Sequence, residues 1–348
     1  MRPIHQVVAG ATRQDAITRH VFRARGVIRA MGHPSEVYCD PRHLAADLAD
    51  EVRDVNGWRV TAGTDAAAIL HYSIESPAFT HVVEHCSACA IHYHNITPAD
   101  LLWTFNPNLA AQCREGRARL VAFAPRVIGA AADSAFNAEE MDALGFPPVA
   151  VIGVLRPDGG PTPARTRHPG PPRILFVGRG VPNKAQHSCI LVVAALGQVG
   201  VEVRLRLVGS WGGSPAYTAY CHVLARDLRV ADQVEFLGSV SDADLAHEYA
   251  TADAFLCLSE HEGFCVPIVE ALEAGIPVVA FRAGAVAETL GHAGIVLDDK
   301  SPSLVAEALL GVLSGDIGVP ESARREQISH HSAERTTARL QDFIRTLA

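Results

Sequence analysis

Lysine is nearly missing from this sequence. Of its 30 basic residues only Lys184 and Lys300 are lysine, and 38 acidic residues leave a net charge of −8. No run of basic residues appears, so the chain lacks the electrostatic footprint of a nucleic-acid binder. It also lacks any apolar run near the roughly 18 residues that span a membrane. The opening stretch, MRPIHQVVAGATRQD, has no apolar core of the signal-peptide kind. These absences predict a cytoplasmic protein with no stable membrane association. Eight cysteines in a long chain without an export signal then read as reduced thiols, not as a disulfide framework. Also absent is the G-x-G-x-x-G dinucleotide fingerprint: the glycine-bearing turns read GATRQD and GRGVPN, which argues against an NAD-dependent oxidoreductase.

What is present is an ordinary globular balance, 48% hydrophobic and 20% charged over 348 residues, enough for two domains of about 150–200 residues each. Short apolar runs alternate with amphipathic stretches. IHQVVAG (4–10), SEVYCD (35–40), AAILHYS (67–73), CAIHYHN (89–95) and GAAADS (129–134) read as strands, and PRHLAADLADEVRD (41–54) reads as a helix. Residues 156–172 contain six prolines and sustain neither helix nor central strand, so they read as a linker. The alternation then restarts with RILFVGR (173–179), VRLRLVG (203–209), VEFLG (234–238), DAFLCLS (253–259), PVVAFR (277–282) and GIVLD (294–298). Runs buried on both faces and separated by helices predict an α/β protein with parallel, doubly wound sheets. The expected organisation is a first Rossmann-like domain over 1–155, a linker over 156–172 and a second such domain over 173–331. A terminal helix over 332–348 would pack back on the first domain. Two such domains would face each other across a cleft, where ligands bind in this architecture.

Two segments carry candidate chemistry. In SEHEGFCVPIVEALEAGIPVVA (259–280), Glu262 lies in a Gly-Phe turn after a strand and Glu270 about one turn into the following helix. Pro267 suits that helix's first turn. The amides of Gly263, Phe264 and Cys265, aligned with the helix dipole, suit an anion. Alone, the two glutamates would be a dipole complement and a solvated loop residue. Beside amides that suit phosphate, they point to a ligand that is anionic and also rich in hydroxyls, as a sugar nucleotide is. In FVGRGVPNKAQH (176–187), Arg179 and Lys184 sit at a strand's carboxyl edge, where two cations neutralise a departing diphosphate.

A rival constellation is EHCSACAIHYH (84–94), with Cys86, Cys89, His85, His92 and His94. Its C-x2-C has no second half at zinc-finger spacing, and along a strand alternate side chains point to opposite faces. His261-Glu262 does not open an H-E-x-x-H site, because residue 265 is cysteine. No metal site is expected.

Taken in order, these segments resemble the retaining glycosyltransferases of family 4, which have the GT-B fold. Glu262 and Glu270 fit that family's E-x7-E signature, Arg179 and Lys184 fit its phosphate pair, and VEFLGSVSDADLAHEYATADAFLCLSE (234–260) resembles the segment leading into the signature. The resemblance implies that Ser239 and Val240 meet the nucleotide base. It implies that His94, in IHYHNITPAD (91–100), contacts the donor sugar. Gly10 would lie near the diphosphate and Asp15 on the acceptor side. The sequence departs from the family at Gln14, where relatives tend to have glycine, at Arg19, where they have asparagine, and at Cys265, where glycine is frequent.

The activity implied is metal-independent, retaining transfer of a hexose from a nucleoside diphosphate sugar, UDP favoured over GDP, with no further cofactor. The catalytic set would be His94, Arg179, Lys184 and Glu262. The donor would be bound by Gly10, Ser239, Val240, Gly263, Phe264, Cys265 and Glu270. The acceptor is expected to be a soluble small molecule, such as an aminocyclitol or another natural product, since the helix read over 41–54 is no basic membrane-docking face. A GT-B-fold epimerase acting on sugar nucleotides and a non-catalytic sugar-nucleotide-binding protein are the alternatives.

Overall fold

The structure is a computed structural model that describes residues 1–13, 15–63, 65–156, 166 and 169–348. The chain clusters into two compact units. Unit 1 comprises Met1–Ile96, Ala111–Asp158 and His331–Ala348, and unit 2 comprises Thr97–Ala110 and Gly159–His330. Most of the stretch read as a linker, 157–165 and 167–168, lies outside the described residues.

Unit 1 is built on the strands β1 (Ile4–Val8), β2 (Val37–Cys39), β3 (Arg53–Asp54), β4 (Ala67–Tyr72), β5 (Ala88–Tyr93), β6 (Gly129–Ala132) and β7 (Val149–Val151). They form one sheet in the order β3-β2-β1-β4-β5-β6-β7, every neighbouring pair parallel. Every residue of β1, β4, β5 and β6 is buried, as expected where helices cover both faces. The small side chains of β6 let the last helix, Ala333–Arg345, lie close to the sheet: a Cβ on Gly129 would stand 3.3 Å from Leu347 and 3.4 Å from Phe343. Phe343, Ile344 and Leu347 share one apolar cluster with Ile4, Ile69, Ala90 and Ala131, and with Ala24 and Ile28 of the helix Ala16–Ala30.

Unit 2 carries β8 (Arg173–Val177), β9 (Arg204–Val208), β10 (Val234–Gly238), β11 (Ala254–Cys257), β12 (Val278–Phe281) and β13 (Ile295–Leu297) in the order β10-β9-β8-β11-β12-β13, again all parallel. The period of two along β8 serves both faces. Ile174 and Phe176 join the cluster around the helices Gln186–Gln198 and Pro302–Ser314, while Leu175 joins the one around Val266–Glu273. In each sheet the strand order reverses once, between β1 and β4 and between β8 and β11. The carboxyl edge at such a reversal is where doubly wound sheets bind ligands.

Two features differ from the sequence reading. Residues 41–54 form no α-helix. They make two 3-10 turns, Pro41–His43 and Ala46–Leu48, and then β3. Leu44 and Ala45 between the turns are extended, because the loop after β1 recruits them: Ala11 donates to His43 O (3.1 Å) and Ala45 to Ala11 O (3.0 Å). Local helical pattern yields here to a tertiary pairing. The absence of that helix removes the argument that a non-basic helical face excludes a membrane-linked acceptor. Second, Thr97–Ala110 leaves unit 1 and packs in unit 2. There the Phe105 ring lies 5.2 Å from Tyr217 and 5.3 Å from Tyr220, and Asn106 Nδ2 donates to Gly213 O at 2.9 Å.

Candidate active site

The loops that follow β8 and β11 meet at the reversal point of unit 2. After β8 the chain passes exposed Arg179, then turns through Pro182–Lys184 into the helix Gln186–Gln198. After β11 it runs through Glu260 to Cys265 into Val266–Glu273, with Pro267 in the first turn. The loops are tied by Glu260 N–H donating to Asn183 O at 2.7 Å. Beside this tie Lys184 Nζ donates to both oxygens of Glu262, at 2.7 and 2.6 Å. Glu262 is buried and the Lys184 side chain mostly so. Burial works against the lysine's charge, but the Glu262 carboxylate outweighs it and the Lys184 pKa is raised. Both groups are therefore charged, and they neutralise one another.

Two glycines shape the approach. Gly284, at φ +55°, lies so close that a Cβ there would stand 2.3 Å from Glu262 O, which accepts from Ala285 N–H at 2.9 Å. Gly209, at φ +137°, lies equally tight against Gly178 O, so β8 and β9 lead into loops in backbone contact. Glu270, one turn into its helix, accepts a hydrogen bond from the buried Tyr249 hydroxyl at 2.7 Å. Phe264 and Cys265 are buried and Gly263 is half-buried. Cys265 is left-handed at φ +74°, a conformation that favours glycine. Its Sγ is 3.8 Å from Cys257 Sγ. Ser239 and Val240 follow Gly238 at the end of β10, Ser239 exposed and Val240 packed on the apolar cluster beneath Val266–Glu273.

The unit 1 residues have different surroundings. Asp15 caps the helix Ala16–Ala30, accepting from Thr18 N–H at 2.9 Å and from its hydroxyl at 3.2 Å. Gly10 is exposed beside His43, and Gln14 lies outside the described residues. The His94 side chain is only 1% exposed. Its Nε2 is 2.8 Å from His71 Nδ1 and its Nδ1 is 2.9 Å from Asp133 Oδ2, so in this state neither ring nitrogen is directed at a ligand. His20, His71, His92 and His94 each bring a ring nitrogen within 4.8 Å of the others, as do Cys257, Glu262 and Cys265 their ligand atoms in unit 2. Lys184 already occupies both Glu262 oxygens; His71, His92 and His94 are engaged with Gln6, Asp133 and one another, and His20 Nδ1 accepts from Leu155 N–H.

Sequence reasoning missed the partners Tyr249, Cys257, Gln6, His20, His71 and Asp133. His71 and His92 are neighbours only because β4 and β5 pair in the register His71↔His92. Nothing local to either segment announces that pairing.

Residues 163–332 match the glycosyl transferases group 1 family. The whole chain has the GT-B fold. It superposes on Anabaena HepE in complex with UDP-glucose with a TM-score of 0.76 at 17% identity, covering 99% of this chain and 100% of that one. The lipopolysaccharide outer core galactosyltransferase WaaB gives a TM-score of 0.71 at 14% identity, with 99% of both chains covered. Among curated proteins, the chain is 30% identical over 186 residues to the GDP-mannose-dependent alpha-(1-6)-phosphatidylinositol monomannoside mannosyltransferase of Mycobacterium tuberculosis. That match covers 50% of this chain and 47% of that protein. It is 35% identical over 147 residues to D-inositol 3-phosphate glycosyltransferase 2 of Catenulispora acidiphila, covering 40% and 34%. The chain thus spans about half or less of the length of these curated relatives. Among the described residues no helix is long and apolar enough to cross a membrane.

Proposed function

We propose that the protein is a retaining glycosyltransferase that moves a hexose from a nucleoside diphosphate sugar to a hydroxyl of a polyhydroxylated acceptor. The observation that carries this reading is the buried Lys184–Glu262 pair at the reversal point of unit 2, inside the stretch that matches the group 1 family. The pair parks two charges that a donor would separate. A diphosphate competes with Glu262 for Lys184, and its two negative charges win the ammonium. The freed carboxylate then accepts from a hydroxyl of the donor sugar. Arg179, exposed one loop away, adds a second cation. Glu270, held by Tyr249, accepts from the ribose, and Ser239 with Val240 borders the base. The amides of Gly263, Phe264 and Cys265 hold the diphosphate.

The leaving diphosphate oxygen takes the acceptor proton as the acceptor oxygen bonds to the anomeric carbon on the same face. The C1–phosphate oxygen bond breaks and the anomeric configuration is retained. Charge on the departing group is balanced by Lys184 and Arg179, a preorganised electrostatic contribution that needs no divalent ion. Acceptors of the cyclitol class fit the two curated relatives whose printed names contain inositol. The test is incubation with UDP- and GDP-hexoses and a panel of soluble polyols. The product's anomeric proton coupling is then compared with the donor's. Products of inverted configuration would overturn the mechanism, and epimerised donor without acceptor would overturn the reaction class.

A further inference from the structure

Beneath the helix Ala16–Ala30, the face of the unit 1 sheet gathers His20, His71, His92 and His94 around Asp133. Of these five side chains, His20, His71 and His92 are at most 2% exposed. Their hydrogen bonds fix where the protons are. Val21 O can only accept, so the Gln6 amide turns its NH2 to it at 2.9 Å and presents Oε1 to His71 Nε2 at 3.0 Å. His71 Nε2 therefore carries a proton. Burial, with His94, His20 and His92 nearby, pushes the His71 pKa well down, so the ring is neutral and its Nδ1 is a lone pair. That lone pair is 2.8 Å from His94 Nε2, which must be the donor.

On its other side, His94 Nδ1 is 2.9 Å from Asp133 Oδ2 and 3.1 Å from Oδ1. Asp133 Oδ1 also receives His92 Nε2 at 2.8 Å. Burial alone would raise the Asp133 pKa. The nearby His94 ring and the bonds from both histidines override it and hold the carboxyl well below the usual range. An ionised carboxylate only accepts, so His94 Nδ1 is a donor as well.

We propose that His94 is held as an imidazolium, and that Gln6, His71 and Asp133 are positioning residues that fix its two protons and its ring. The inference rests on the transferase reading for its role, but not for the protonation itself. A metal ion does not fit the same atoms. Two nitrogens 2.8 Å apart are closer than the roughly 3.3 Å that a tetrahedral site with bonds near 2.0 Å imposes. His20 Nδ1 accepts from Leu155 N–H at 3.0 Å, so the proton of a neutral His20 is on its buried, unpartnered Nε2, leaving no lone pair for an ion. The groups that face His94 are thus His20 from the helix, His71 from β4, His92 from β5 and Asp133 after β6, and only Asp133 opposes its charge. An imidazolium so held cannot serve as a base, which agrees with transfer of the acceptor proton to the leaving diphosphate.

The test is nitrogen NMR of the full-length protein labelled in its histidine rings, at pH 8, with His94 assigned by a His94→Gln variant. Both His94 nitrogens should resonate as protonated. A neutral-tautomer pattern would overturn the proposal, and so would stoichiometric zinc in protein purified without chelator. The wild-type spectrum decides the protonation whether or not any variant folds and whether or not any donor turns over. The role is read from the pH profile of donor turnover. Asp133→Asn releases the second proton, so its kcat/KM should fall as the pH rises over a range in which the wild type shows no such limb. Identical profiles would remove the positioning role while leaving the transferase reading intact.

Discussion

Lys184 and Glu262 are paired through both carboxylate oxygens, so a substitution of either tests both charge balance and ligand. Removing the cation should leave a buried carboxylate uncompensated and a departing diphosphate unneutralised. Lys184→Ala should therefore lower kcat about 10²- to 10³-fold, the range for losing one charge-stabilising group. A loss under threefold in steady-state assays would take Lys184 out of the site. Tyr249→Phe removes the hydrogen bond that orients Glu270, and nucleoside diphosphate affinity by calorimetry should weaken about 5- to 10-fold, as for one bond to a charged acceptor. Unchanged affinity would mean that Glu270 does not hold the ribose. At this scale the sequence was informative where composition made a residue rare. Lys184 stood out because the chain has one other lysine, and it does meet Glu262. His94 was also singled out, yet its surroundings were not legible, because its partners come from three separate segments that only strand order and register bring together.

Elements hold the site through backbone contacts as much as through side chains. Gly284 packs against the Glu262 carbonyl at a positive φ, so Gly284→Ala should push the Glu262 loop aside and weaken donor binding about tenfold, equivalent to roughly 1.4 kcal/mol. Wild-type binding by that variant would show that the loop is not held there. The histidine layer makes a second prediction. Burial lowers the pKa of His20, His71 and His92 in the folded protein, so below about pH 6.5 the unfolded chain binds more protons than the folded one. Stability is then complete above that pH and is lost as pH falls, by up to about 1.4 kcal/mol per pH unit for each histidine. Urea midpoints at pH 7.5, 6 and 5 should drop accordingly, and a flat series would contradict neutral burial. Most strands were legible from apolar runs bounded by turns, though the edge strands β3 and β7 were not read. Residues 41–54 were not, because their helical spacing loses to a pairing with Ala11 that lies 30 or more residues back along the chain.

For the whole molecule, the GT-B fold and the match of residues 163–332 to the group 1 family agree with the order of the motifs along the sequence, whereas the acceptor is not written in any motif. The excursion of Thr97–Ala110 into unit 2 was equally hidden, since a single proline-rich break at 156–172 suggests one division of the chain. If Lys184 and Arg179 do the work of a cation, excess EDTA should leave turnover unchanged, and loss of activity restored by magnesium or manganese would refute metal independence. The most direct test of the central claim is calorimetric titration of the purified protein with UDP and with GDP, repeated on Lys184→Ala and Glu270→Ala. The account predicts that one nucleoside diphosphate binds and that both substitutions weaken it at least tenfold. No binding of either nucleotide, or binding that both variants retain in full, would contradict it.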